Sequence, residues 1–267
     1  MANAAAFFDL DRTLISGASA FPFGVEAWRQ GLATSGDIAK WTLAALSFLI
    51  SGDKGTGTTM DIRGEFLARI EGASVSDLDQ IGQAILPKLV SRVRPESRKL
   101  VAMHHEAGRD TWIVSASPHG IVEPLAASLG MTGAIGTEGE VVDGVFTGKL
   151  GGPFIYGPGK AQAIEKLCSD RGYHPNLCYA YSDSISDLPM MELVGHPVAV
   201  NPDSELGAIA RDRGWPVVIF ARKTKRAVAV SGVVAMTASA AGVGYALGRS
   251  HGKTSTLARL TRSRLGR

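Results

Sequence analysis

The sequence predicts an α/β fold, a doubly wound parallel sheet of Rossmann-like form with a small helical cap inserted after the first strand. Over the second half of the chain, short apolar runs of strand length alternate with longer amphipathic segments, as is typical of parallel sheets covered by helices. Earlier, one long stretch shows helical spacing only. A chain of 267 residues, 45% of them hydrophobic, has enough apolar side chains for such a domain with an insertion and a tail.

The first strand is predicted from Ala4 to Leu10, an apolar run with two phenylalanines that ends among acidic residues. From Phe23 to about Val90, apolar residues recur at helical spacing, with breaks at Ser51–Gly55 and Glu71–Ser74. This pattern predicts a module of helices.

Beyond Pro95 the predicted elements alternate in type, and a hairpin is expected to turn at Asp143-Gly144. Helices are predicted from Glu96 to Glu106, His119 to Ser128, Gly159 to Asp170, near Asp187 to Leu193 and Ser204 to Arg213, and strands from Thr111 to Val114, Leu177 to Tyr181, Pro197 to Val200 and Pro216 to Phe220.

These patterns divide the chain into three parts. Residues 1–15 and 91–220 form the predicted core, residues 16–90 the helical cap, and residues 221–267 a basic and hydrophobic tail. In such a core, ligands bind where the strands end at their carboxyl side.

The tail contains an uncharged run, Ala227–Gly248, flanked on both sides by arginine and lysine. About 20 apolar residues is the length that crosses a bilayer, although this run is mostly Ala, Gly, Ser and Val. We predict a C-terminal hydrophobic helix that spans the cytoplasmic membrane or docks on it. The alternative is an Ala/Gly-rich helix that packs on the body or on another copy of the chain.

The body of the chain, residues 1–220, is expected in the cytoplasm. The N-terminal segment lacks the basic and apolar regions of a secretory signal, and Cys168 and Cys178 lack the close spacing of a redox or zinc pair, so both are predicted to be reduced packing residues. A net charge of +3 argues neither for nor against nucleic acid as a partner.

Polar residues that could take part in catalysis or bind a metal follow several of the predicted strands or begin the helices after them. They are Asp9 and Asp11 in FFDLDRT, Ser115 in WIVSAS, Lys160 in YGPGKA, and Asp183 and Asp187 in YSDSISD. Several carboxylates at one sheet edge repel one another unless a cation shares the site. Oxygen ligands with open positions suit Mg2+, which keeps waters and accepts phosphate.

These four segments resemble, in order and spacing, the four motifs of haloacid dehalogenase-type phosphatases, in subfamily IB, the group similar to phosphoserine phosphatase. The resemblance covers residues 4 to 220. It implies a Mg2+-dependent phosphoric monoester hydrolase that acts on a small phosphorylated molecule and not on nucleic acid.

The resemblance also implies a role for each residue. Asp9 is expected to attack the phosphoryl group and become an aspartyl phosphate, and Asp11 to protonate the leaving alkoxide and then activate water. Lys160 offsets charge on Asp9 and the phosphoryl group.

The remaining matched residues are expected to bind either the phosphoryl group or the metal. Thr13, Ser115 and Ala116 would hold phosphoryl oxygens through hydroxyl or backbone donors. The metal is assigned to Asp9, the backbone carbonyl of Asp11, Asp183 and Asp187, the last of which would also orient a metal-bound water or Lys160.

The substrate stays open at this point, because the segment Leu14–Phe21 lacks the acidic residue that helps phosphoserine-hydrolysing relatives to hold the amino acid. A phosphorylated metabolite or lipid precursor and phosphoserine are both candidates, and Arg63 and Arg69 of the cap are candidates to contact a substrate anion. The alternatives to hydrolysis are phosphoryl transfer to another acceptor and a membrane-tethered module that binds a phosphorylated ligand without turnover.

Overall fold

The computed structural model describes residues 3–31, 67 and 71–220. Its main feature is a parallel six-stranded sheet in the order β3-β2-β1-β6-β7-β8, accompanied by an antiparallel hairpin of β4 and β5. The strands are β1 Ala5–Asp9, β2 Asp110–Pro118, β3 Gly133–Thr137, β4 Gly139–Val142, β5 Val145–Leu150, β6 Tyr179–Ser182, β7 His196–Val200 and β8 Val217–Val218.

Helices cover both faces of this sheet, as predicted. Those of the described residues are α1 Ala20–Arg29, α2 Val75–Arg92, α3 Pro95–Glu106, α4 His119–Ser128, α5 Pro158–Arg171, α6 Leu188–Leu193 and α7 Ser204–Asp212. Side chains of α2, α3 and α4 pack in one large core cluster, and those of α5 and α6 pack in a second.

The central strand β1 is buried along its whole length because both of its faces are covered. Ala6 and Phe8 join the cluster under α2, α3 and α4, while Ala5 and Phe7 join the cluster under α5 and α6. A strand with two covered faces has a continuous apolar sequence instead of an alternating one. This explains why the run before Asp9 is apolar at every position.

The predicted elements beyond Pro95 are confirmed in type, with small differences at their ends. The strand predicted from Leu177 begins at Tyr179, since Pro175–Leu177 forms a 3-10 turn, and the last strand shortens to Val217–Val218. The hairpin turns where predicted: Asp143 and Gly144 have φ of 51° and 79°, and two successive positive φ angles define a tight hairpin turn.

The sequence analysis did not predict strand β3, whose composition explains the miss. Gly133 and Gly136 weaken a strand pattern, but the packing requires both. A Cβ atom on Gly133 would lie 2.7 Å from the Trp112 ring, and one on Gly136 would lie 2.6 Å from the His119 backbone.

Two chain segments lie side by side where the predicted cap joins the core. Ile15 pairs with Val93 in an antiparallel bridge, Ser16 N donates to Arg92 O at 2.9 Å, and Arg94 N donates to Leu14 O at 3.1 Å. The division into cap and core stays a prediction, and Arg63 and Arg69 lie outside the described residues.

Within residues 3–31, 67 and 71–220, no helix combines the length and the apolarity that a bilayer crossing requires. The run Ala227–Gly248 lies outside these residues, so its membrane association stays a prediction.

Candidate active site

The candidate site lies at the carboxyl ends of β1 and β6, which are neighbours at the centre of the sheet. From β1 the chain continues outward through β2 and β3 on one side, while β7 and β8 follow β6 on the other. Loops diverge where the strand order reverses in this way and leave a crevice for a ligand. Asp9 ends β1 and Asp183 directly follows β6, so both carboxylates lie at this point.

Lys160 links two of the predicted carboxylates. Its Nζ lies 2.6 Å from Asp9 Oδ1 and 2.8 Å from Asp187 Oδ2, and the residue is only 3% exposed. Asp187 Oδ2 also accepts a hydrogen bond of 2.7 Å from Ser182 Oγ. The ammonium group is therefore fixed between the expected nucleophile and a carboxylate that is itself held in place.

Burial and charge shift the ionisation of this pair in ways that matter for catalysis. Desolvation raises the pKa of Asp9 to about 7, although the Lys160 charge opposes the rise. Desolvation lowers the pKa of Lys160, but Asp187 and Asp9 outweigh it, so the pKa of Lys160 lies above its ordinary value. The lysine is thus a permanent cation, and Asp9 depends on nearby positive charge to stay ionised.

Asp183 is reached by the turn that follows β1. Thr13 Oγ1 donates to Asp183 Oδ1 at 3.3 Å, and Arg12 Nε lies 3.0 Å from Asp183 Oδ2. Arg12 has a φ of 65°, in the left-handed region that residues other than glycine seldom adopt, so the chain bends sharply just after Asp11. Burial, followed by the nearby Asp9 charge, raises the pKa of Asp183 well above its ordinary value.

The donor set fits a hard divalent cation such as Mg2+. Asp183 Oδ2 is buried and, despite the nearby Arg12, accepts no well-directed hydrogen bond. Lys160 and Arg12 bring two positive charges to three buried carboxyl groups, Asp9, Asp183 and Asp187, so the cluster carries a net charge of −1 when all three are ionised. In the described part of the chain, no three acidic, His or Cys side chains converge as a ready-made metal site. Mg2+ commonly uses only one or two carboxylates and keeps its waters.

Asp11 is held by Ser19. Ser19 N donates to Asp11 Oδ1 at 2.7 Å and Ser19 Oγ lies 3.1 Å from Asp11 Oδ2. A further hydroxyl, Ser117 Oγ, lies 2.8 Å from Ser19 Oγ. Burial raises the pKa of Asp11, and the hydrogen bonds from Ser19 act in the opposite direction. A raised pKa suits a carboxyl group that works as an acid near neutrality.

Strand β2 brings the predicted phosphoryl-binding segment beside Asp9. Asp9 is in register with Val114, so Ser115 and Ala116 continue past the end of β1. Ser115 is buried and its Oγ accepts a hydrogen bond of 3.1 Å from Ser117 N. The predicted roles of these two residues stay predictions.

The sequence analysis missed several polar residues that contact the predicted ones, among them Arg12, Ser19, Ser117 and Ser182. Ser117 and Ser182 lie one or two positions from predicted residues, and that proximity was an available signal. Ser19 stands just before a helix, where a serine normally indicates only a helix cap.

Comparisons with known proteins identify a matching family and several similar proteins. Residues 6–192 match the model of the haloacid dehalogenase-like hydrolase family. A phosphoserine phosphatase of Mycobacterium tuberculosis is 40% identical over 227 residues, covering 84% of this chain and 74% of that protein. A histidinol-phosphatase of Neisseria meningitidis is 33% identical over 222 residues, covering 80% and 98%. A solved structure of a Bordetella pertussis protein of unknown function has a TM-score of 0.68 and 25% identity, covering 82% of this chain and 99% of that one.

Proposed function

Because the chain belongs to the haloacid dehalogenase-like hydrolase family, we propose that it is a Mg2+-dependent phosphomonoesterase that forms an aspartyl phosphate on Asp9. Its class as a phosphatase follows from the family and from its relatives. The observation that carries the proposed mechanism is the contact of Lys160 Nζ with Asp9 Oδ1 at 2.6 Å, between two buried residues at the centre of the sheet.

In the first step, a carboxylate oxygen of Asp9 attacks phosphorus and the bond from phosphorus to the ester oxygen breaks. Asp11 donates its proton to that oxygen, so the alcohol leaves in neutral form. Lys160 and the donors of Thr13 and Ser115 offset the charge on the phosphoryl oxygens.

In the second step, a water molecule attacks phosphorus and gives a proton to the Asp11 carboxylate. The bond from phosphorus to Asp9 breaks, which releases phosphate and restores both carboxyl groups to their starting forms. Asp187 and Ser182 keep Lys160 in place during both steps, since the three groups are linked by hydrogen bonds of 2.7 and 2.8 Å.

Asp9, Asp183 and the backbone carbonyl of Asp11 would hold Mg2+, which when bound neutralises negative charge at the phosphoryl group. Asp187 was also predicted as a ligand, but its Oδ2 is already occupied by Lys160 and Ser182. We therefore assign to Asp187 the orienting role.

We propose a phosphate ester of a small primary alcohol as the substrate. The two relatives are named for phosphoserine and histidinol phosphate, and both compounds are such esters. The absence of an acidic residue from Leu14 to Phe21 argues against a conventional site for the amino group of phosphoserine. Lipid head-group phosphates therefore remain in the candidate set.

The test compares the wild type with Asp9→Asn, in Mg2+ and in chelator, on p-nitrophenyl phosphate, phosphoserine, histidinol phosphate and glycerol phosphate. We expect metal-dependent phosphate release that falls by roughly 10⁴-fold or more in the variant, because an amide oxygen is a poor nucleophile.

Asp143→Asn is the matched control, since Asp143 occupies an exposed hairpin turn and asparagine tolerates positive φ. Undiminished turnover in Asp9→Asn would refute the nucleophile assignment. Binding of phosphate esters without any release by the wild type would favour a binding module. Phosphorylated alcohols formed from an added acceptor would indicate transfer in place of hydrolysis.

We also propose, from its sequence alone, that Ala227–Gly248 attaches the chain to the cytoplasmic membrane. Fractionation of cells that express the full chain, beside a chain ending at Arg222, tests this. Recovery of the full chain in the fraction without membranes would contradict it.

A further inference from the structure

Ser19 occupies the position of a helix cap but does not act as one. It directly precedes α1, where a serine hydroxyl usually accepts a hydrogen bond from the backbone of the first turn. Here the side chain makes no capping hydrogen bond. Its hydroxyl instead lies 3.1 Å from Asp11 Oδ2 and 2.8 Å from Ser117 Oγ. A capping hydrogen bond contributes about 1 kcal/mol to helix stability. Helix α1 lacks this contribution because the Ser19 hydroxyl contacts Asp11 and Ser117 instead.

Ser19 contacts both oxygens of one carboxyl group through two different donors. The backbone N–H donates to Asp11 Oδ1 at 2.7 Å, while the hydroxyl faces Oδ2. Two contacts fix the plane of the carboxyl group as well as its position. Ser19 is 3% exposed, so water does not compete for these contacts.

We propose that Ser19 is the positioning residue for Asp11, and that Ser117 completes the arrangement by supporting the Ser19 hydroxyl. The inference rests on the proposed function, in which Asp11 transfers a proton in each of the two steps.

The pair of hydroxyls can serve Asp11 with and without its proton. When Asp11 is a carboxylate, Ser117 Oγ–H donates to Ser19 Oγ and Ser19 Oγ–H donates to Asp11 Oδ2. When Asp11 carries the proton that it gives to the ester oxygen, its carboxyl oxygens still have lone pairs that accept from Ser19, so the same contacts hold the group. No oxygen atom has to move between the two forms, so one geometry suits both steps.

If Asp11 loses its contacts with Ser19, the effect on kcat/KM should depend on the leaving group of the ester. An alkoxide is a poor leaving group and needs the proton from Asp11, whereas p-nitrophenolate leaves without one. For both kinds of ester, kcat/KM reports the steps up to release of the alcohol. Loss of positioning should therefore lower kcat/KM for an alkyl phosphate far more than for p-nitrophenyl phosphate.

The experiment compares Ser19→Ala, Ser19→Thr and Ser117→Ala with the wild type on p-nitrophenyl phosphate and on the alkyl phosphate that the wild type hydrolyses fastest. For Ser19→Ala we expect kcat/KM on the alkyl ester to fall by about 10- to 100-fold, a part of the full general-acid contribution. On p-nitrophenyl phosphate the fall should stay below about threefold. KM should change little, because Ser19 is not assigned to contact the substrate.

Ser19→Thr keeps the hydroxyl and should restore most of the loss, while Ser117→Ala should show a smaller loss of the same kind. Ser16→Ala is the matched control, since Ser16 is exposed in the same segment and its hydroxyl donates to Arg92 O at 3.2 Å. Equal losses on both esters, or no loss on either, would overturn the positioning role. A wild type inactive on every ester would instead refute the proposed function, and the inference with it.

Discussion

Lys160 is a buried cation whose two partners are the expected nucleophile and Asp187. A buried ion pair contributes little net stability, because desolvation offsets most of the attraction. Loss of one partner, in contrast, leaves an unpaired buried charge and costs about 3–5 kcal/mol. The charge at this position is therefore better explained by chemistry on Asp9 than by a need for stability.

His104 makes the stability of the fold sensitive to acid. It is fully buried, its Nδ1 accepts a hydrogen bond of 2.7 Å from Arg109 Nε, and its Nε2 lies 2.8 Å from the Tyr181 hydroxyl. Because Nδ1 is an acceptor, the neutral ring carries its proton on Nε2. Burial, assisted by Arg109 and His105, lowers the pKa of His104 to about 4.

The folded state therefore does not take up a proton that unfolded His104 binds near its ordinary pKa of 6.5. Above pH 6.5 the neutral His104 makes its full contribution to the free energy of unfolding. The free energy of unfolding should fall by about 3 kcal/mol as the pH is lowered from there to 4. Urea unfolding at several pH values measures it. His104→Gln should be less stable at pH 7.5 yet show a shallower acid dependence, and exposed His174→Gln is the control. If the free energy of unfolding of His104→Gln depends on pH as steeply as that of the wild type, another residue causes the acid sensitivity.

At the residue scale, the sequence predicts the groups whose chemistry is rare and misses those whose chemistry is common. Two aspartates after a buried strand, or a lysine at a glycine-rich helix start, have few ordinary explanations. Ser19 has an ordinary one, as a helix cap. Only the contact of its backbone and hydroxyl with Asp11 gives it a different role, and that contact depends on folding.

At the element scale, the start of α5 determines where Lys160 lies. Gly157 has φ and ψ of 53° and −123°, a backbone conformation that residues with a side chain rarely adopt. Gly159 packs directly on the Phe154 carbonyl. A Cβ atom at Gly159 would collide with that backbone oxygen. The two glycines thus let the helix begin close to the sheet edge.

We therefore expect Gly159→Ala to displace the start of α5 and Lys160 with it. A shift of about 1 Å can cost about 10²-fold in rate, and overpacking costs about 1–3 kcal/mol in stability. Steady-state kinetics and thermal unfolding measure both effects. Gly120→Ala in α4 is the control, because its Cβ would meet only Asp79 Oδ1 at 3.5 Å and should stabilise the helix by up to about 1 kcal/mol. Similar behaviour of the two variants would contradict the packing argument.

The success of the element predictions also has a physical cause. Helices such as α3 and α4 were predicted almost to the residue, since amphipathic spacing agrees with their packing. Strand β3 was not predicted, because its glycines are required by contacts with Trp112 and His119 that are distant in sequence. Local pattern cannot anticipate a requirement that arises from tertiary contact.

For the whole molecule, the negative charge of the site should couple folding to the metal. Mg2+ that binds only the folded state stabilises it by about 2.7 kcal/mol at a concentration 100 times its Kd. We expect added Mg2+ to raise the midpoint of thermal unfolding and chelator to reverse the rise. Asp183→Asn should remove most of the effect, while Asp143→Asn keeps it. An equal rise in Asp183→Asn would place the metal elsewhere.

The hydrogen-bonded pairing of Ile15 with Val93 has a consequence for the modularity of the chain. The predicted cap would leave and rejoin the core at these adjacent points, so the order of strands in the sheet need not depend on the length of the cap. The entropy of closing a loop rises only slowly with its length. We therefore expect this junction to accept caps of different size, and we expect chimeras that join here to keep the chemistry of one protein while taking the selectivity of another.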